Sequence, residues 1–303
     1  MSNTLKATTA GLLGYSIYGF SFLFAKVALN VSHPDVLLSV RFIIAFLVLN
    51  LFLLTKKFRI SFKGKAVAKL LMMGFIQPVV YFICEARGIA LTSTSFSGII
   101  IGLSPVVGII FGFIFLKEKY SVFQIICTVL SVIGVILTTT SSADGFSITG
   151  CLLLLVSVIS TTAFSALSRS ISEEFSPFER SYAMTGMGAV AFTCVAILTT
   201  KGDFTLWKEP LTSPQFLGSV FYLALISSVG AFMLINYALN YLSIGHTLIF
   251  SNFTTVISVI LGFFIMKDSF TAVQLTGMII IILSVFAVSV YKAKKDKGNI
   301  LSV

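Results

Sequence analysis

The chain has 303 residues, of which 57% are hydrophobic and 11% charged, and its mean hydropathy is +1.03. Soluble domains run about 45–50% apolar and about 25% charged, so composition excludes a water-facing globular fold, a disordered chain and a collagen-like or disulfide-framed scaffold. What remains is a polytopic membrane protein. The net charge of +10 raises nucleic acid as a partner class, and the placement of the charges decides against it below.

A helix needs about 20 residues to cross a hydrocarbon layer of roughly 30 Å. In chain order the apolar runs of that length fall at about 8–29, 36–54, 67–90, 95–116, 121–140, 147–168, 182–200, 216–241, 246–266 and 271–291. They lack the period-2 alternation of a barrel, and a helix satisfies its own backbone hydrogen bonds in lipid. The expectation is therefore an all-α membrane protein of ten transmembrane helices. The first run has no small-residue cleavage site after it and reads as a retained helix rather than a signal peptide. Connections are short, the longest being Thr200–Gln215 and the next Thr55–Ala66.

Lys and Arg concentrate on the cytoplasmic side of membrane proteins. With a cytoplasmic N-terminus, Lys201, Lys208 and Lys267 are outside and Lys26, Arg41 and Arg87 lie within runs; the other fifteen of 21 are inside. Both termini are expected to be cytoplasmic, in a cell (plasma or inner) membrane. The charge is thus topological, and the partners expected are the lipid bilayer and a small-molecule substrate, with no nucleic acid. Monomer and homodimer stay open.

The chain also repeats itself. GFIFLKEKYSVFQ (112–124) and GFFIMKDSFTAVQ (262–274) align at an offset of 150 residues, with Gly112/Gly262, Phe113/Phe263, Lys117/Lys267 and Gln124/Gln274 identical. Earlier in each half the offset is 143, placing Pro34 on Pro177 and Lys26 on Arg169. Residues 1–145 and 146–303 are read as two repeats of five helices each. An odd helix number inverts the second copy, and inverted repeats with a site near the bilayer midplane are the architecture of secondary transporters.

Gly98-x-x-x-Gly102 and Gly108-x-x-x-Gly112, with Ser258-x-x-x-Gly262 in the second half, are candidate helix-packing positions, because small residues four apart let helices approach closely in lipid. Pro105 removes a helical hydrogen bond and frees a carbonyl near Ile101, making a kink. Gln77-Pro78 repeats that chemistry in the third run.

These segments resemble the EamA family of the drug/metabolite transporter superfamily. SFSGIIIGLSPVVGIIFGFIFLKEKYSVFQIICTVLSVIGVIL (95–137) is similar to its fourth and fifth helices, with Ser104-Pro105 in mid-helix and Leu116-x-Glu118 at the end. TTAFSALSRSI (161–171) is similar to the sixth, and YGFSFLFAKVAL (18–29) to the first, with Tyr18 where Trp is usual. The resemblance implies ten helices, a central cavity, peripheral fifth and tenth helices, and export of small metabolites such as amino acids, or of drugs. An uptake carrier or facilitator of the same fold is the alternative. An intramembrane enzyme would need paired carboxylates, a Ser/His pair or a metal set; His33 and His246 are far apart, and Cys84, Cys127, Cys151 and Cys194 sit singly in apolar runs. No catalytic residue, metal or cofactor is expected.

Candidate cavity residues are Tyr18, Gln77, Tyr81, Glu85, Asn236, Asn240 and Asn252. Carboxamides facing lipid are costly, so the asparagines, with Asn236 and Asn240 on one helix face, should point inward. Glu85 reads as the only acid within a run, where a charge costs about 3 kcal/mol on insertion scales. It is expected to pair with Arg41 or Lys26, which lie at similar depth, and proton coupling is the role that pair suggests; a static ion pair is the alternative.

Overall fold

In the computed structural model, residues 3–55, 58–115, 121–140, 147–242, 247, 250–268 and 270–300 are described, and every regular element among them is a helix. Helix α1 spans Asn3–Leu29 and α2 Pro34–Leu54. Next come α3 (Val67–Gly74), a π-helical segment at Phe75–Val80, and α4 (Tyr81–Ala90), which together form one long apolar helix. Helix α5 (Thr94–Ile101) is followed by α6 (Ser104–Phe115), α7 (Val122–Thr140), α8 (Ile148–Ser170) and α9 (Pro177–Thr199). A short α10 (Thr205–Leu211) leads to α11 (Pro214–Phe221), a second π-helical segment at Tyr222–Ala231, and α12 (Phe232–Tyr241). The last two are α13 (Ser251–Phe264) and α14 (Ala272–Ile300).

Among the described residues, six helices are long and apolar enough to cross a membrane: Asn3–Leu29, Pro34–Leu54, Val67–Ala90, Ile148–Ser170, Pro177–Thr199 and Pro214–Tyr241. Shorter apolar helices lie at Thr94–Gly108, Ile125–Gly134, Ser251–Phe264 and Leu275–Ala287.

The distribution of polarity is that of a protein solvated by lipid. Leu47, Leu51, Val190, Leu198, Phe221 and Leu283 are exposed, whereas Ser39, Arg41, Glu85, Ser157, Arg180 and Asn236 are buried. Apolar side chains can face hydrocarbon at no cost, so helices associate through close packing and interhelical hydrogen bonds instead. Ser157 donates to Tyr81 O across α8 and α4 at 3.1 Å, and Thr254 to Tyr15 O across α13 and α1 at 2.7 Å.

Capping residues start α9 and α2 earlier than hydropathy suggests. Helix α9 opens with a reciprocal capping box in which Ser176 Oγ accepts from Glu179 N and Glu179 Oε2 accepts from Ser176 N, with Pro177 at the first position. In α2 the cap is His33, whose Nδ1 accepts from Asp35 N, followed by Pro34. Asp35 and Glu179 therefore lie in helical first turns and are buried, which corrects the reading of Glu85 as the only acid in a span. The Thr200–Gln215 connection is likewise part helical, because Asp203 Oδ1 accepts from Thr205 N and Oγ1 and starts α10.

Helices α5 and α13 pack closely on each other. A Cβ on Gly98 would fall on the side chain of Ser258, one on Gly102 on Thr255, and one on Gly262 on Ser95. Gly98 and Gly102, rather than Gly108, thus supply the contact with Ser258 and its neighbour. Gly108 is half-buried, and the surroundings of Gly112 lie outside the described residues, as do Lys117 and Glu118. Helices α7 and α14 pack mainly on each other.

Candidate functional site

Proline lacks a donor and pushes the residue before it out of the helical region. Pro78 does this to Gln77, which sits at φ −138°, ψ 111° inside the first π-helical segment. The displaced turn aims Gln77 inward, and its side chain is 2% exposed. The fourth apolar run is also interrupted: α5 stops at Ile101, and Ser104 Oγ donates to Ile101 O at 2.6 Å, satisfying the carbonyl that Pro105 frees. The second π-helical segment has no proline, and it presents Ser227 and Ser228 to the interior.

Around these breaks lie two adjoining chambers. The larger, about 390 Å³, is lined by Tyr15, Tyr18 and Phe22 of α1, Gln77, Tyr81, Ile101, Ser104, Thr161 and Phe164 of α8, Ile235 of α12, and Ser251 and Thr254 of α13. The smaller, about 260 Å³, is lined by Tyr18, Ser21, Ala25, Arg41, Tyr81, Phe82, Glu85, Ile89 and Ser227. Tyr18 and Tyr81 form the wall between them. Each brings several polar side chains together within a wall that also carries aromatic and aliphatic groups.

Charge is concentrated in the smaller chamber. Arg41 Nε donates to Ser228 Oγ at 2.8 Å and its NH2 to Ser227 Oγ at 3.1 Å, while the guanidinium lies 4.4 Å from the Phe82 ring centre. Glu85 accepts at Oε1 from Tyr81 Oη at 2.7 Å. The expected ion pair is corrected here: Glu85 and Arg41 face one chamber, but no salt bridge joins Glu85 to Arg41 or to Lys26 among the described residues. Arg41 is committed to the serines that the π-helical segment exposes. Lys26 reaches past Glu85 to the end of α4, where Nζ donates to Ile89 O at 2.9 Å and Thr92 O at 2.5 Å. Arg87 points to the other side of α4 and pairs with Asp35 at 2.9 Å.

Asn236 and Asn240 are not brought to the chambers' lining. Asn236 Oδ1 accepts from Ser168 Oγ at 2.8 Å, its Nδ2 donates to Ser181 Oγ at 3.1 Å, and its carbonyl accepts from Arg180 at 2.8 Å. Arg180 also donates to Ser168 O at 2.8 Å and to Asn240 Oδ1. Arg169 donates to Leu239 O at 2.8 Å and to Asn240 O. These bonds tie the ends of α8, α9 and α12 together. Asn252 lines a separate, mostly apolar pocket with Ile99, Gly102 and Thr255. Of the sequence-derived candidates, Tyr18, Gln77, Tyr81, Glu85 and Arg41 converge.

Sequence reasoning missed Thr161, Ser227 and Ser228, because isolated hydroxyls in apolar helices bond their own backbone as a rule. It also missed the capping box, although Ser176-Pro-Phe-Glu179 is legible as such. Lys26 and Arg169 carried a signal too: the 143-residue offset aligns them, and each donates to the last carbonyls of a later helix.

The model of the EamA-like transporter family matches residues 5–140 and again residues 148–290. Among curated proteins, the uncharacterized transporter YcxC of Bacillus subtilis (strain 168) is 30% identical over 96% of this chain and 95% of its own length. The uncharacterized transporter YetK of the same strain is 29% identical over 93% of this chain and 86% of its own. An uncharacterized transporter of Archaeoglobus fulgidus is 20% identical over 91% of this chain and 96% of its own. A solved crystal structure superposes with a TM-score of 0.65, covering 95% of this chain and 98% of that one at 15% identity, which bears on the fold alone.

Proposed function

The chain belongs to the EamA-like transporter family, and from that premise we propose that it is a secondary-active exporter of small amphipathic metabolites or drugs, working by alternating access. The single observation that carries this reading is the adjoining pair of chambers, lined from both residues 3–140 and residues 148–300 and holding a buried Arg41 and Glu85. A charge that neither stabilises the fold by an ion pair nor reaches water has a functional role by default in a membrane.

In this reading the ten apolar helices form two inverted five-helix halves. Several observations support it. The family model matches twice, and the two π-helical segments fall about 150 residues apart. Lys26 binds the carbonyls of Ile89 and Ala90, and Arg169 those of Leu239 and Asn240, which are the same positions shifted by 150. With both termini cytoplasmic, the Lys26 end is outer and the Arg169 end inner. Rocking of one half on the other about the α5–α13 contact would open the chambers first to one side and then to the other.

Glu85 is the proposed coupling group. Among the described residues its one hydrogen bond is within its own helix, from Tyr81, so gaining or losing a proton changes the chamber's charge without breaking a bond between helices. Arg41 would hold the anionic or polar end of the substrate, and the aromatic walls its apolar part.

The test is accumulation of labelled amino acids, nucleosides and cationic drugs by everted vesicles with an acidic interior. Accumulation that depends on the protein, and that loses its pH dependence in Glu85→Gln, is expected. A Glu85→Gln protein that transports with unchanged pH dependence removes the coupling role, and failure of the whole panel removes the export reading.

A further inference from the structure

We infer that Gln77 and Thr161 form a neutral hydrogen-bonding clamp in the larger chamber that selects substrates carrying an uncharged N–H or O–H donor. The inference rests on reading this cavity as the transport site. Three polar groups on the chamber wall are engaged within the protein: Ser104 with Ile101 O, Thr254 with Tyr15 O, and Tyr81 with Glu85. Gln77 Oε1 and Thr161 Oγ1 differ. Both are buried, on side chains 2% and 8% exposed, and among the described residues neither has a hydrogen-bond partner. They come from different halves of the chain, on the third and sixth apolar runs, and line the same chamber.

A buried polar atom without a partner is destabilising, and the cost is relieved when a partner arrives. The Gln77 position adds to this, because Pro78 forces the backbone there out of helical geometry. An unmet acceptor on a residue that lines a cavity is satisfied when a ligand brings a donor. The remaining wall is aromatic and aliphatic, with Tyr15, Phe22 and Phe164. It fits a planar apolar body whose neutral polar head reaches the clamp. The chemistry is distinct from that of the smaller chamber, where Arg41 and Glu85 would meet charge.

Benzamide and acetophenone test this directly, since they have the same shape and differ by NH₂ against CH₃. Binding to the purified full-length protein is read from the rise in unfolding temperature with ligand concentration. Benzamide is expected to bind roughly tenfold to a hundredfold more tightly than acetophenone. The near-isosteric Thr161→Val and Gln77→Met variants should reduce that preference to within about twofold, leaving acetophenone affinity unchanged. Their ligand-free unfolding temperature should be unchanged or higher, because an unpartnered polar group has been removed. Should Gln77→Met fail to fold, Thr161→Val carries the same comparison. Equal binding of the two compounds, no binding of benzamide, a preference that survives Thr161→Val, or a lowered ligand-free unfolding temperature in that variant each overturns the clamp. Loss of the clamp with vesicle accumulation intact refutes this inference alone, whereas a surviving clamp with no accumulation refutes the transport reading alone.

Discussion

Gly98→Ala places a methyl group where the side chain of Ser258 already stands. The overlap involves both Oγ and Cβ of Ser258, so a rotamer change cannot clear it and α5 must move from α13. That shift also stretches the bond from Thr255 Oγ1 to Gly98 O, now 3.0 Å. Overpacking of this kind costs about 1–3 kcal/mol, and a weakened interhelical hydrogen bond in lipid adds about 0.6 kcal/mol. Ser258→Gly removes the obstruction and sacrifices only a bond to its own helix, from Oγ to Thr255 O. The double variant should therefore recover most of the stability that Gly98→Ala loses, with a coupling of about 1–2 kcal/mol in a double-mutant cycle. Thermal unfolding in detergent, followed by the fraction that remains monodisperse on size exclusion, measures all four proteins. Additive losses, or a Gly98→Ala protein as stable as the parent, would refute the packing geometry of α5 on α13.

Arg180→Lys should not rescue Arg180→Met: a single ammonium cannot reach Ser168 O on α8 and Asn236 O on α12 together as the guanidinium fork does. Both variants should lose about 3 kcal/mol or more, since hydrogen bonds to a charged group contribute about 1.5–3 kcal/mol each, visible as early loss of monodispersity on heating. Lys26→Met and Arg169→Met each free the terminal carbonyls of α4 or α12 and should cost about 1–3 kcal/mol apiece. Because the two sites share no partner, their effects on unfolding temperature should add; strong coupling between them would place the two ends of the bundle in contact.

Hydropathy made the order of the apolar helices legible, whereas six of those among the described residues are long enough to cross a membrane. It could not reveal where those helices deviate. The π-helical segment at Phe75–Val80 was foreshadowed by Gln77-Pro78, but the one at Tyr222–Ala231 has no proline to announce it. Arg41 accordingly finds Ser227 and Ser228 instead of Glu85. Depth in the membrane was a poor guide to pairing for Lys26, whose long side chain donates to backbone carbonyls at the end of α4. Asn236 and Asn240 do point inward, as the cost of a lipid-facing carboxamide requires, yet they serve Arg180 and Arg169 at one end of the bundle. The convergence of Tyr18, Gln77, Tyr81 and Glu85 was visible as a list of inward-facing polar residues, whereas Thr161 was indistinguishable from any other hydroxyl in a helix.

Ile235 lies on the wall of the larger chamber and is buried, and a cysteine there reports whether the chamber opens to each side in turn. In a background with Cys84, Cys127, Cys151 and Cys194 replaced by serine, Ile235→Cys is exposed to a membrane-impermeant maleimide in right-side-out and in everted vesicles. Modification from both faces, slowed by a transported compound occupying the chamber, is the result expected of alternating access. Modification from one face only, or from neither, would contradict it.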